Sequence, residues 1–254
     1  MHLGSHNKDY AYPISGQVVK TTNTEKDLWV LITSNLKSGD QFAAAYMKAN
    51  KMLGLIKRTL VNKDRTVLLA LYKSIVRSHF EYCCCAWAPH YKKDKELLEK
   101  VQHRYTRLFK DLRVLDYLQR LRCLRLWTLE ERRSRSDLIE VFKLYKCLTS
   151  IPFQSFFVRT RGHSFKITKQ ISSKDIRKYF FSNTVVNRWN NLPDHTVQAS
   201  SLNVFKNGLQ KLKSARVGFM DNWCPPTLEV YSRLRTNYTG TVPGATPPGK
   251  LPGK

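Results

Sequence analysis

The chain has 254 residues, enough for one or two ordinary domains, and 42% of them are apolar, enough for real cores. Lys and Arg number 44 against 19 Asp and Glu, a net charge of +25, so the chain repels itself unless a polyanion is close. No run approaches the ~20 apolar residues of a spanning helix, and the first ten residues carry no signal-peptide core; this argues against a membrane protein and points to the cytoplasm or nucleus.

Residues 17–20 and 28–33 read as short β-branched strands joined by a polar turn over 21–27, a hairpin pattern. Ser38 or Asp40 can cap a helix through FAAAYMKANKMLGLIKR, and Asn62 can cap the next. In that second helix Leu68, Leu71, Tyr72, Ile75, Val76 and Phe80 form one apolar stripe, with Pro89 as its stop. A third helix, from Lys93 to Lys110, turns Leu97, Leu98, Val101, Tyr105 and Leu108 inward and leaves Lys100, Arg104, Arg107 and Lys110 outside. The three predict a bundle over 38–112 whose core includes Leu71, Ile75, Phe80, Trp87, Leu97, Val101 and Tyr105.

Thr128 with Glu131 is a capping-box pattern opening a long helix to about Cys147, with Leu138, Val141, Phe142 and Tyr145 on one face and Arg132, Arg133 and Arg135 on the other. Residues 152–171 read as short strands or loops around a turn at Gly162, where His163 and Arg161 are within reach of a phosphate or simply solvated. Phe181, Val185, Val186 and Trp189 predict a short helix stopped by Pro193. Ser200 caps a last one, with Leu202, Phe205, Leu209 and Leu212 inward. From Arg159 to Arg216 twelve basic residues face two acids, Asp175 and Asp194. Beyond Phe219 the chain turns to Pro, Gly and Thr, a composition that predicts a disordered tail over 219–254. The expected fold is therefore mainly α: a short β-hairpin, a helical bundle, a basic mixed helical region over 113–218, and the tail.

The six cysteines show no paired-spacing framework and suit a reducing compartment. Cys83, Cys84 and Cys85 near His90 do not predict zinc, because consecutive residues on a helix point about 100° apart; no metal or cofactor is expected. No glycine-rich phosphate loop or nucleophile with a base is visible. The charge points instead to RNA, an RNA–DNA hybrid or DNA held by its backbone, with Arg104, Arg107, Arg132, Arg133, Arg135, Arg161, Arg177 and Lys178 as candidate contacts. The alternative is a helical interaction protein whose basic faces are ordinary solvated surface.

A family resemblance joins these segments. LGLIKR at 53–58, LYKSIVRSHFEYC at 71–83 and WAPHYKKDKELLEKVQHRYTR at 87–107 resemble the region just after the catalytic core of jockey-like non-LTR (LINE-type) retrotransposon reverse transcriptases. RLRCLRLWTLEERRSRSDLIEVFK at 120–143, RGHSFKI at 161–167 and RKYFFSNTVVNRWNNLP at 177–193 continue the likeness in order, over residues 10–212 in all. The resemblance implies a palm edge over 1–37, a thumb over 38–112 and a C-terminal region over 113–218. It also implies that the fingers, most of the palm and the endonuclease lie upstream of Met1. Such polymerases hold two metal ions on a carboxylate cluster that includes adjacent aspartates. This chain has no adjacent Asp pair, so by itself it is expected not to polymerise, unless it is one piece of an enzyme completed by another polypeptide. Trp29 stands where the family's primer-contacting Leu-Gly-Val element has glycine, which disfavours primer contact, and Cys84 and Cys85 replace a Cys-Ser-Pro pattern.

Overall fold

A computed structural model describes residues 1–3, 8, 10–60, 64–162 and 165–215. Asn62, His163 and the 219–254 segment lie outside them. The architecture is mainly helical, with two small two-stranded antiparallel sheets at the N-terminal end.

Two hairpins form where one was expected. β1 (Pro13–Ile14) pairs with β2 (Gln17–Val18), and β3 (Thr24–Asp27) pairs with β4 (Val30–Thr33). Much of the polar stretch read as a turn is thus itself a strand. Leu28 and Trp29 make the two-residue loop, both at positive φ (42° and 67°), as a primed hairpin turn demands. Trp29 is 69% exposed and lies under the Lys26 ammonium, 3.6 Å from its ring centroid.

α1 (Gly39–Thr59) buries Phe42, Ala45, Ala49, Leu53 and Ile56, spaced to keep one face inward. α2 (Arg65–Leu71) starts on Asp64, whose carboxylate accepts from Val67 N, so Asp64 supplies the cap expected at Asn62. The chain then widens into a π turn over Tyr72–Val76, with Arg77 N bonded back to Tyr72 O, before α3 (Ser78–Glu81). That widening has a packing reason. Leu68, Tyr72, Val76 and Phe80 are each four residues apart, and at 3.6 residues per turn such a series drifts around the helix; the wider turn pulls them back onto one face, and all four are buried. Ile75 is correspondingly 40% exposed, and Leu71 only packs at the core's margin, so two of the expected core positions are displaced.

The helix stops at Glu81, well before Pro89, because Tyr82 swings to an extended ψ of 124° and Cys83 then takes a left-handed φ of 49°. α4 (Lys92–Thr106) then buries Leu98, Val101 and Tyr105, with Leu97 half-buried. Phe42 early in α1 meets Trp87 just before α4, and Asn50 later in α1 meets Arg104 late in α4, so the two helices run in the same sense with α2–α3 returning between them. Tyr72 and Tyr105 stack at 3.9 Å inside this bundle.

α5 (Tyr117–Cys123), capped by Asp116, leads to α6 (Leu129–Tyr145), which opens with the expected Thr128–Glu131 capping box. Gln102 ties α4 to this junction, accepting from Tyr72 Oη at 2.6 Å and donating to Trp127 O at 3.0 Å. Glu99 accepts from Leu129 N at 3.0 Å and from Tyr117, and burial pushes its carboxyl above the usual range. α6 serves two cores: Leu129 belongs to the bundle, while Leu138, Val141 and Phe142 belong to a second cluster with Phe181, Val185, Val186, Trp189, Phe205 and Leu209. The second cluster is built from α8 (Phe181–Thr184), α9 (Val186–Asn190), α10 (Asp194–Val197) and α11 (Leu202–Ala215) packed on α6, while the short α7 (Asp175–Lys178) ahead of them buries no side chain. The helix expected over 181–193 is thus two short ones, and Ser201, not Ser200, bonds the start of α11 through Val204 N. The 152–171 segment holds one isolated bridge, Arg159 with Ile167, pinned by reciprocal bonds between Ile167 and the Asn190 amide. No described helix is long and apolar enough to cross a membrane.

Candidate nucleic-acid interface

α1 and α4 meet along Asn50, Leu53, Gly54 and Lys57 on one side and Arg104, Arg107 and Leu108 on the other. The first four are spaced i, i+3, i+4, i+7, one face of α1. Gly54 leaves the floor low: a Cβ built there meets nothing within 4 Å. The 3₁₀ turn Lys110–Leu112 then folds the chain back so that Arg113 Nε donates to Arg107 O at 3.0 Å and closes the end. The result is an open cavity of about 660 Å³ lined by four exposed cations, Lys57, Arg104, Arg107 and Arg113, with no acidic residue on its wall among the described residues. Arg104 is aimed by Asn50 Oδ1, 2.7 Å from its Nη1, and lies over the Tyr46 ring at 6.0 Å. Lys57 and Arg104 sit in the last turns of their helices, where a cation also offsets the helix dipole.

The α6 arginines are placed differently from the outward face the sequence suggested. Arg132 pairs with Glu81, which Arg77 also holds at 3.0 Å. Arg133 is 7% exposed, stacked 5.7 Å from the Trp87 centroid, and neither its Nε nor its Nη2 has a hydrogen-bond partner among the described residues. Arg135 is half-buried against Trp127. An interior guanidinium cannot reach a duplex phosphate, so Arg133 leaves the set of candidate contacts, and Arg132 and Arg135 are held by intramolecular partners.

Arg161, Arg177 and Lys178 are exposed. Arg177 donates to Gln170 Oε1 at 2.6 Å, and Lys178 lies 5.4 Å from the Tyr179 ring, which itself stacks on His90. Of the eight residues picked from sequence, then, the cavity unites Arg104 and Arg107. Lys57 and Arg113 were missed. Lys57 had a legible signal, the fourth position of the Asn50–Gly54 face; Arg113 had none, since a tight turn delivers it.

A second polar cluster lies where the two cores meet. Because the helix has already ended at Glu81, Cys84 and Cys85 sit in a turn, and their sulfurs and an Asp137 carboxylate oxygen all lie within 4.8 Å of one another. The helical argument against their convergence does not hold. Asp137, buried and 3.9 Å from Arg188, has its carboxyl pushed up to about 7 because burial outweighs the ion pair.

Comparison with protein-family models, curated proteins and solved structures found no match for this chain.

Proposed function

We propose that the chain binds a polynucleotide backbone, that of RNA, an RNA–DNA hybrid or DNA, in the α1–α4 cavity, as the thumb and C-terminal region of a reverse-transcriptase-like protein. The observation that carries this is the cavity itself: four exposed cations converge on about 660 Å³ with no acid among the described lining residues, in a chain of net charge +25. Cations so arranged repel one another in the free protein and are relieved by phosphate, which supplies affinity with little sequence preference. The resemblance to retrotransposon polymerases is supported by the backbone at Trp29, whose φ of 67° is one that glycine, the family's residue there, adopts without strain.

The isolated chain is proposed to bind and not to polymerise, since its sequence has no adjacent aspartates to hold two metal ions. Fluorescence anisotropy with a labelled structured RNA, an RNA–DNA hybrid and a DNA duplex, repeated across salt and against heparin, tests the binding. Absence of binding to all three near physiological salt would leave a helical interaction protein. Primer extension on poly(rA)–oligo(dT) with Mg²⁺ or Mn²⁺ tests the chemistry, and template-dependent incorporation by the pure chain would overturn that part.

A further inference from the structure

The turn after α3 presents two sulfurs to α6. Ala86 N bonds Cys83 O at 2.9 Å and Trp87 Nε1 bonds Tyr82 O at 2.8 Å, fixing the intervening residues. Cys84 is 4% exposed and Cys85 partly so. The Cys85 thiol donates to Asp137 Oδ1 at 3.3 Å, and the Cys84 sulfur lies within 4.8 Å of both. Cys84 shares with Arg133 the wall of a cavity of about 80 Å³, several times the space one water needs. Arg133 is the buried guanidinium whose Nε and Nη2 lack hydrogen-bond partners. A buried cation with vacant donors is costly unless negative charge develops beside it.

We propose that Cys84 and Cys85 form a peroxide-responsive dithiol, in which Cys84 is oxidised first and Cys85 resolves it. The hydrogen bond from Cys85, aided by Ser136 and Arg133 against the effect of burial, pulls the Cys84 thiol down to about 6. Cys85 is pushed up, chiefly by its bond to Cys84 and by burial, and so keeps its proton. Cys84 is the sulfur on the wall of the cavity with Arg133, open to a small oxidant, and Cys85 is the neighbouring thiol whose proton Asp137 can accept.

The steps balance. The Cys84 thiolate attacks one oxygen of hydrogen peroxide; the O–O bond breaks, an S–O bond forms, and the departing hydroxide takes up a proton as water. Cys85 then gives its proton to the Asp137 carboxylate 3.3 Å away and its sulfur attacks the sulfenic sulfur of Cys84; the S–O bond breaks, the S–S bond forms, and the hydroxyl leaves as water with the proton passed on from Asp137. Two thiols and one peroxide give one disulfide and two waters, with two electrons passing from sulfur to oxygen.

The test uses the full, reduced chain at pH 7 with a small excess of hydrogen peroxide, followed by differential alkylation and peptide mass mapping. Cys123 and Cys147 are exposed and serve as internal references. The expected result is loss of two hydrogens from the Cys84–Cys85 peptide at a rate roughly tenfold above oxidation of the exposed cysteines. Cys85→Ser should stall at the sulfenic acid, trapped on Cys84 by dimedone, and Cys84→Ser should abolish trapping at this peptide. The wild-type map decides even if a variant fails to fold. Oxidation of Cys123 and Cys147 while Cys84 stays fully alkylatable would overturn the proposal, as would stoichiometric protection of both sulfurs by zinc, which would make the cluster a metal site.

Discussion

Two double substitutions separate the cationic cavity from the α6 arginines. Arg104→Ala with Arg107→Ala removes two of four exposed cations at the loss of one hydrogen bond, that of Arg104 to Asn50 at an exposed site. Such a bond is worth at most about 0.5 kcal/mol, so the melting midpoint should move by no more than a degree or two. If each cation neutralises one phosphate, the wild-type slope of log K against log salt is about −3.6 and that of the variant about −1.8. Raising salt from about 50 to about 200 mM should then weaken the wild type about 150-fold and the variant about 12-fold. Arg132→Ala with Arg133→Ala should do the reverse. It removes a partner of Glu81 and a buried side chain packed on Trp87, at a cost of about 2–4 kcal/mol, or a drop of roughly 5–15 °C, with the slope unchanged. Anisotropy titrations across salt and a thermal melt read both quantities. A flattened slope in the α6 pair and none in the Arg104–Arg107 pair would refute the placement of the interface.

Gly54→Glu adds an acid to the open floor of the cavity; it should weaken RNA binding about tenfold or more in anisotropy, while replacing a mid-helix glycine leaves stability unchanged or raises it by up to about 1 kcal/mol. Leu68→Ala and Leu98→Ala should each cost about 2–5 kcal/mol in urea unfolding and Ile75→Ala less than about 1; equal costs for Leu68 and Ile75 would mean that the π turn does not set the register. Asp137 has a folded value of about 7 against about 3.9 unfolded, so its protonated form stabilises the fold below about pH 4, and that contribution, up to about 4 kcal/mol, is lost as pH rises through 7. Asp137→Asn should therefore gain on the wild type between pH 4 and pH 7 in denaturant melts, and a loss over that range would show the Arg188 ion pair to dominate.

The amino-acid pattern by itself determined the helices that are long or capped by their own side chains. The extent of α1, the α4 stripe, the Thr128–Glu131 box and the inward Phe205 and Leu209 are read from the sequence alone, because helix periodicity and capping are local. It also determined the positive excess and the lack of paired aspartates. What tertiary structure decided was the fate of residues whose neighbours come from far along the chain. The second helix was bent through a π turn because four apolar residues at fourfold spacing had to face one core, and it ended early at Glu81. Arg133 looked as exposed as Arg104 by helical position, yet it falls where α6 crosses between two cores, so packing on Trp87 hides one cation and leaves the other facing solvent beside Lys57 and Arg113. A single amphipathic face is legible in sequence; a helix clasped on two sides is not, since nothing local says that a second surface will cover the first one's polar back.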